Sequence, residues 1–436
     1  MKKSKLFLLL VAVSTVALAS CGIVTTSSEA ANNSSSAAAS SSAVVTGYDA
    51  SYKGKKDYES IAKQLLTDKN LSLDGLDSKK FTLTGYQQGF STGDTAWIAG
   101  LNNMAKSGEE VLLCCGASDL VMGMTQLSAD DKVQVGGVDS LTAGFAHFFE
   151  TGVYKYDDGK FASMPGPMIA AILRDLEGNK LMIDNKVPYL DQGTWQAKSG
   201  EELASMIAAD KAGNYVYNAN VISYMMGADA ATFKTMTEVN DFTAATSYRT
   251  QYGSTALVSL KKAYKIGVIR NDGTSDESVA FENYLKDLAS KLNFSIEFVT
   301  TTSGDASADL AQIDTWVSQS YDAVICLSNS ANYDGMKKCA DAHIRYAMFA
   351  GHPYESDEKD MEADFGDYYV GSVGPTKLSE AKVGYKMGKY FVDQKNTKFA
   401  IFGGAVAFGS EMHAYRVAGM LAAMVENESG VASVLA

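Results

Sequence analysis

KIGVIRNDGTSDESVAFENYLKDLASKLNFSIEFVT, residues 265–300, holds the pattern that decides the fold. Residues 265–269 form a short apolar run of strand length, and the polar stretch 271–278 follows it as a loop. Across 279–292 apolar residues recur at three- and four-residue spacing, the period of a helix with one buried face. Residues 296–300 return to strand character. A strand, a helix and a second strand of these lengths form a unit whose two strands run parallel.

The same alternation extends in both directions. Downstream it predicts helix 308–319, strand 323–327, helix 335–342, strand 345–350, an acidic loop, a short strand 368–370, helix 378–392, strand 399–402 and helix 411–425. Upstream it predicts strand 81–85, helix 96–106, strand 111–115, helix 120–127 and strand 133–138, which ends at Asp139. Residues 148–160 read as a turn region, 161–164 as a short strand, and 168–176 as a helix closed by Gly178. The paired acids Asp130-Asp131 and Asp157-Asp158 read as solvated loop residues. Between the two halves, residues 185–262 read as helices 200–209, 230–239 and 255–263 joined by aromatic-rich loops. The fold class expected is α/β, with two doubly wound parallel sheets.

The 436 residues are 46% hydrophobic and 20% charged, the balance of a globular chain rather than a disordered one. Against 38 Lys+Arg stand 51 Asp+Glu, a net charge of −13. A nucleic-acid surface needs clustered Lys and Arg, so no nucleic-acid partner is expected. The beginning of the chain reads as an address. Lys2, Lys3 and Lys5 precede the apolar run 6–19, which closes on Leu18-Ala19-Ser20-Cys21. That tetrad resembles a bacterial lipobox, which implies a signal peptide over 1–20 and a lipid on Cys21. The Ser/Ala-rich stretch that follows, to about residue 50, has no apolar face and reads as a flexible tether. The expected location is extracytoplasmic, on the bacterial cell membrane through the anchor.

Of the remaining cysteines, Cys114 and Cys115 are adjacent, so on a strand they point to opposite faces and do not share a bridge. Neither they nor Cys326 and Cys339 have metal-ligand spacing, and the four histidines are scattered, so no metal site is expected. HExxH and GxxxxGK are missing, and no GxGxxG stands between a strand and a helix. The reading is therefore of a chain without catalytic residues and without a cofactor.

Two distant stretches together resemble a type 1 periplasmic solute-binding protein. Residues 265–425 resemble the first part of that fold and 81–180 its later part. KFAIFGG (398–404), followed by a helix carrying Arg416-Val-Ala-Gly419, resembles the crossing into lobe two. FTLTGYQQGF (81–90) fits the strand expected next. EEVLLCCGASDLVMG (109–123) and DKVQVGGVDS (131–140) resemble the strand–loop units that line lobe two's side of the cleft, and FASMPGPMIAAILRDLEGN (161–179) resembles the return to lobe one. The resemblance implies a circularly permuted chain. Lobe two would comprise 81–160 with 399–425, and lobe one 161–184 with 265–398. Residues 185–264 would form a helical connector. A tandem of incomplete units is the other arrangement that fits. LAQIDTWVSQSYDAVICLSNSANYDGMKKCADAHIRYAMF (310–349) resembles the sugar-binding branch. SDESVAFENYL (275–285), YQQGFSTGD (86–94) and GVDS (137–140) resemble the nucleoside-binding, basic membrane protein branch.

Ligands of such sheets sit beyond the carboxyl ends of strands, where carboxylates, amides and Arg pair with hydroxyls and aromatic rings cover apolar faces. The candidates are Asn271, Asp272, Asp276, Asn329 and His352 in lobe one. Phe90, Trp97, Asp139 and Arg416 are those of lobe two. The function implied is that of a solute-binding lipoprotein of an ABC importer, holding a sugar or nucleoside and meeting the permease subunits. A surface-anchored sensor or interaction lipoprotein with no transport role is the alternative.

Overall fold

The computed structural model describes residues 82–86, 102, 108, 110–116, 118–302, 305–327, 331–353, 355–402 and 411–429. In chain order it begins with strands β1 (Thr82–Tyr86) and β2 (Val111–Cys114), helix α1 (Ser118–Thr125), and strand β3 (Gln134–Ser140). Helix α2 (Ala143–Glu150), strand β4 (Tyr154–Lys160) and helix α3 (Gly166–Leu176) follow. Two short strands, β5 (Tyr189–Asp191) and β6 (Trp195–Ala197), precede helices α4 (Gly200–Ala209), α5 (Ala219–Gly227), α6 (Ala230–Thr237) and α7 (Phe242–Tyr252). The second half alternates β7 (Lys265–Arg270), α8 (Asp276–Leu292), β8 (Ser295–Thr300), α9 (Ala306–Ser318), β9 (Ala323–Cys326) and α10 (Asn332–Asp341). It ends with β10 (Arg345–Phe349), α11 (Glu355–Phe365), β11 (Tyr369–Gly374), α12 (Lys377–Asp393), β12 (Lys398–Phe402) and α13 (Glu411–Ser429).

The described strands form two six-stranded sheets, ordered β1-β12-β2-β3-β4-β6 and β8-β7-β9-β10-β11-β5. Every pairing is parallel except that of β6 with β4. Strands from opposite parts of the chain meet in the first sheet, where Leu83 stands opposite Phe399 and Leu113 opposite Ile401. Each sheet is covered on both faces, which is why its strands read as continuous apolar runs. Val111 and Leu113 pack with Met387 and Phe391 of α12 and Met420 and Leu421 of α13. Leu112 and Cys114 face the other way, toward Val121 of α1 and Phe145 of α2. In the second sheet Ile266 and Val268 meet α3 and α8, while Ile269, Val324 and Cys326 meet Trp316, Met336 and Met361. The four described cysteines are buried thiols, and Cys114 and Cys115 belong to opposite faces.

Four elements depart from the sequence reading, the first being the acidic stretch after strand 345–350, read as a loop, where helix α11 runs. Residues 148–160 are not a turn region, because helix α2 and the buried strand β4 occupy them. Asp157 and Asp158 are not solvated either, since both are fully buried on β4. Tyr154 donates to Asp157 and Thr194 to Asp158, and these bonds are what allow a pair of acids inside a sheet. Residues 161–164 form a turn instead of a strand, and residues 255–263 are not helical. The helix lies earlier, over α7, and stops at Gly253; the chain then runs extended, with Val258 N–H bonded to Ser223 Oγ at 3.0 Å.

Candidate functional site

An open α/β sheet offers its crevice where the chain leaves neighbouring strands in opposite directions. In the second sheet that point is the carboxyl end of β7, since β8 lies on one side of β7 and β9 on the other. The loop leaving β7 is built by its own polar side chains. Asp272 accepts from Thr274 N–H at 2.8 Å and from Ser275 N–H at 3.2 Å, and Ser278 Oγ donates to the Asp272 carbonyl at 2.6 Å. Burial raises the Asp272 carboxyl, but the bonds from Ser275 and Thr274 outweigh it and hold the group below its usual range. Ser275 then caps α8 by accepting from Ser278 N–H. Arg270, at the end of β7, is pinned to Glu282 at 2.7 Å and lies over the Phe298 ring. Asn271 stands between these anchors, and its Oδ1 is buried with no hydrogen-bond partner.

Across from this loop stand the carboxyl ends of β3 and β4 in the first sheet. Lys160, the last residue of β4, places its ammonium 3.0 and 3.1 Å from the two oxygens of Glu277, at the start of α8. A Cβ added at Gly144, in the first turn of α2, would lie 3.2 Å from Asp276 Oδ2 and 3.7 Å from Thr142 Oγ1. Thr142 caps α2 without a side-chain cap bond, and its buried hydroxyl oxygen has no partner. Asp139 is the penultimate residue of β3, in register with Gly159. Further along the same edge, His413 near the start of α13 approaches Gly116, which follows β2. Burial, then the positive charges of Arg416 and Lys160, push the His413 imidazole down to about 3 and keep it neutral.

Asn271, Asp272 and Asp276 therefore share one loop that faces the sheet edge carrying Asp139. Arg416 and His352 have other partners. The Arg416 guanidinium is buried, makes a two-pronged ion pair with Glu380 on α12, and donates to the Cys115 carbonyl at 2.8 Å. His352 follows β10, bonds Ser372 and Gly374, and stacks on Tyr189. Cys21, Phe90, Trp97 and Asn329 lie outside the described residues. Lys160, Thr142 and His413 escaped the sequence reading. Lys160 was hidden because its strand carries an Asp-Asp-Gly run that imitates a turn.

Charged and neutral donors and acceptors thus converge from both sheets. Lys160 supplies N–H groups and Glu277 carboxylate oxygens, while Asn271 and Thr142 each present an unpaired oxygen, a set suited to a solute rich in hydroxyls. Among the described residues no cluster of His, Cys, Asp and Glu could hold a metal ion, and no helix is long and apolar enough to cross a membrane. Neither a scan of protein-family models nor a search of curated proteins found a match to this chain.

Proposed function

We propose that the chain is a lipid-anchored, extracytoplasmic solute-binding protein of the type 1 periplasmic class, in circularly permuted order, serving an ABC importer. The solute is a sugar or a nucleoside, held between two lobes, each built on one of the sheets. The observation that carries this reading is the identical strand order of the two sheets. Numbering the strands of each by the usual connection, both read 2-1-3-4-5-6, with β12 and β7 in first place. In the first sheet that order exists only because β12 comes from the far end of the described chain and pairs with β1, as a permutation requires.

The connections support the same reading. The chain passes from one sheet to the other four times; besides the helical stretch between β6 and β7 there are three short passages, after Lys160, between β5 and β6, and between β11 and α12. These passages are tied together: Gln192 N–H donates to the Gly374 carbonyl at 2.9 Å, and Asp191 accepts from Thr376 N–H at 2.9 Å and Ser379 Oγ at 2.6 Å. Phe161 and Trp195, on two of the passages, stack with ring centroids 3.9 Å apart. A joint of three adjacent passages permits hinge closure around a guest, and differential contacts with that guest set the closed population. The Lys160–Glu277 pair bridges the two sides at the mouth of such a cleft.

A thermal shift screen against sugars and nucleosides tests the proposal on the purified chain. A solute at 100 times its Kd stabilises by about 2.7 kcal/mol, a shift of several degrees. Absence of any shift across the panel would reject the receptor reading and favour a lipoprotein that recognises a macromolecule.

A further inference from the structure

His352 lies at the joint rather than in the cleft, and its hydrogen bonds can be assigned by counting protons. Its Nε2 is 2.9 Å from the Gly374 carbonyl oxygen, which only accepts, so Nε2 carries the hydrogen. The same carbonyl receives Gln192 N–H from the neighbouring passage. Burial pushes the imidazole down to about 4, so Nδ1 is bare near neutral pH and accepts the single hydroxyl proton of Ser372 at 2.6 Å. Ser372 Oγ then has no hydrogen left for Glu358 Oε1, 3.0 Å away. The contact is satisfied only if Glu358 keeps its own proton and donates. Burial moves Glu358 in that direction, to about 7, against the bond from Tyr369.

We propose that Glu358, Ser372 and His352 form a proton-gated clasp on the passage that follows β11. With Glu358 protonated, the chain of donors runs from Tyr369 through Glu358 and Ser372 to His352, and His352 holds Gly374. When Glu358 gives its proton to water, one Ser372 hydrogen faces two acceptors. The carboxylate, the stronger acceptor, takes it. His352 loses the bond that orients its ring, and its grip on Gly374 loosens. The groups that bear on this balance come from each neighbouring element: Asp191 and the stacked Tyr189 on β5, Glu362 on α11, and Tyr369 on β11. Glu362 accepts Val187 N–H at 2.9 Å and, as a nearby negative charge, favours retention of the proton on Glu358. The consequence for solute capture, a joint freer at alkaline than at neutral pH, rests on the receptor reading; the clasp itself does not.

The test uses the full chain with 15N-labelled histidine rings, only four in number, and the H352Q variant to assign the signal. His352 is expected to show a protonated Nε2 and an accepting Nδ1 at pH 6, and both signals to shift with a midpoint near 7. Glu358→Gln offers N–H where the acid offered O–H, so it should abolish that inflection; Ser372→Ala should do the same by breaking the relay. Amide exchange at Gln192, corrected for base catalysis, should accelerate about five- to tenfold between pH 6 and pH 8 in the wild type and stay level in Glu358→Gln. A wild type without the inflection, an inflection that survives Glu358→Gln, or a level exchange rate in the wild type would each overturn the clasp. A chain that meets these expectations yet takes up no sugar or nucleoside would sink the receptor reading and leave the clasp standing.

Discussion

Truncating Arg416 separates a structural role from a ligand-binding one. Its guanidinium reaches Glu380 through Nε at 2.5 Å and Nη2 at 3.0 Å, and the Cys115 carbonyl through Nη1 at 2.8 Å. Arg416 and Glu380 are only 5% and 4% exposed, so water cannot replace the missing partner. Removing one member of such a buried pair costs about 3–5 kcal/mol, mostly because the other charge is left uncompensated. The orphaned Cys115 carbonyl places Arg416→Ala toward the upper end of that range. The same logic makes the double replacement Arg416→Met with Glu380→Leu far milder, since two apolar side chains of similar size leave no stranded charge. Urea unfolding of the three proteins, compared at their midpoints, measures both quantities. A stability loss under about 1 kcal/mol for Arg416→Ala, joined to a loss of solute affinity, would refute the structural assignment and return Arg416 to the cleft.

Two further perturbations probe the same half of the molecule. Burial raises the Asp158 carboxyl to about 6, against a bond from Thr194 that lowers it, so the folded chain holds this proton more tightly than the unfolded chain does. Asp158 therefore stabilises in its protonated form, and that contribution, up to about 3 kcal/mol, is lost as pH rises from about 4 through 6. Asp158→Asn should flatten this part of the urea-midpoint profile; a slope equal to the wild type's would show that Asp158 is ionised throughout. Helices α12 and α13 touch backbone to backbone, and a Cβ at Gly419 would lie 1.9 Å from the Ala381 carbonyl oxygen. Gly419→Ala must push the helices apart and should cost at least about 2 kcal/mol, visible as a lowered melting temperature. Wild-type melting would mean that the helices separate without penalty.

The alternation of strands and helices from Lys265 onward was legible because both faces of the second sheet are covered. Each of its strands is consequently a short apolar run, and helical spacing begins right after each loop, except in the acidic helix α11, whose Glu355-Ser-Asp-Glu-Lys-Asp run reads as a loop. The Asn271 loop was legible for the same reason, as a polar run that follows a buried strand. Strand β4 was not. Tyr154-Lys-Tyr-Asp-Asp-Gly-Lys160 has the composition of a turn, and what keeps its acids inside is Tyr154 nearby and Thr194, 36 residues further on. Arg416 posed the same difficulty: Glu380 is 36 residues before it and the Cys115 carbonyl 301 residues before it. Local pattern reports which side chains want burial; it carries no record of which polar partner will meet them there. The strands β5 and β6, three residues each, fall below the length at which alternation can be recognised at all.

On the proposed two-lobe reading, the hard-to-read residues are those that a moving joint would need. Each sheet is locked by its own apolar clusters, whose contacts are numerous, short-ranged and insensitive to direction. The passages between the sheets are held differently, by Asp158 with Thr194, Asp191 with Thr376 and Ser379, and Gln192 with Gly374. Hydrogen bonds of this kind give a net stabilisation of only about 1 kcal/mol each, and they depend steeply on geometry. A joint built from them has one well-defined arrangement, yet a rotation that breaks two or three bonds costs no more than a guest's contacts can return. An apolar joint of the same extent would offer neither property, because its packing would resist opening while tolerating many closed geometries. The polar passages are thus where a chain with this topology places its freedom to move.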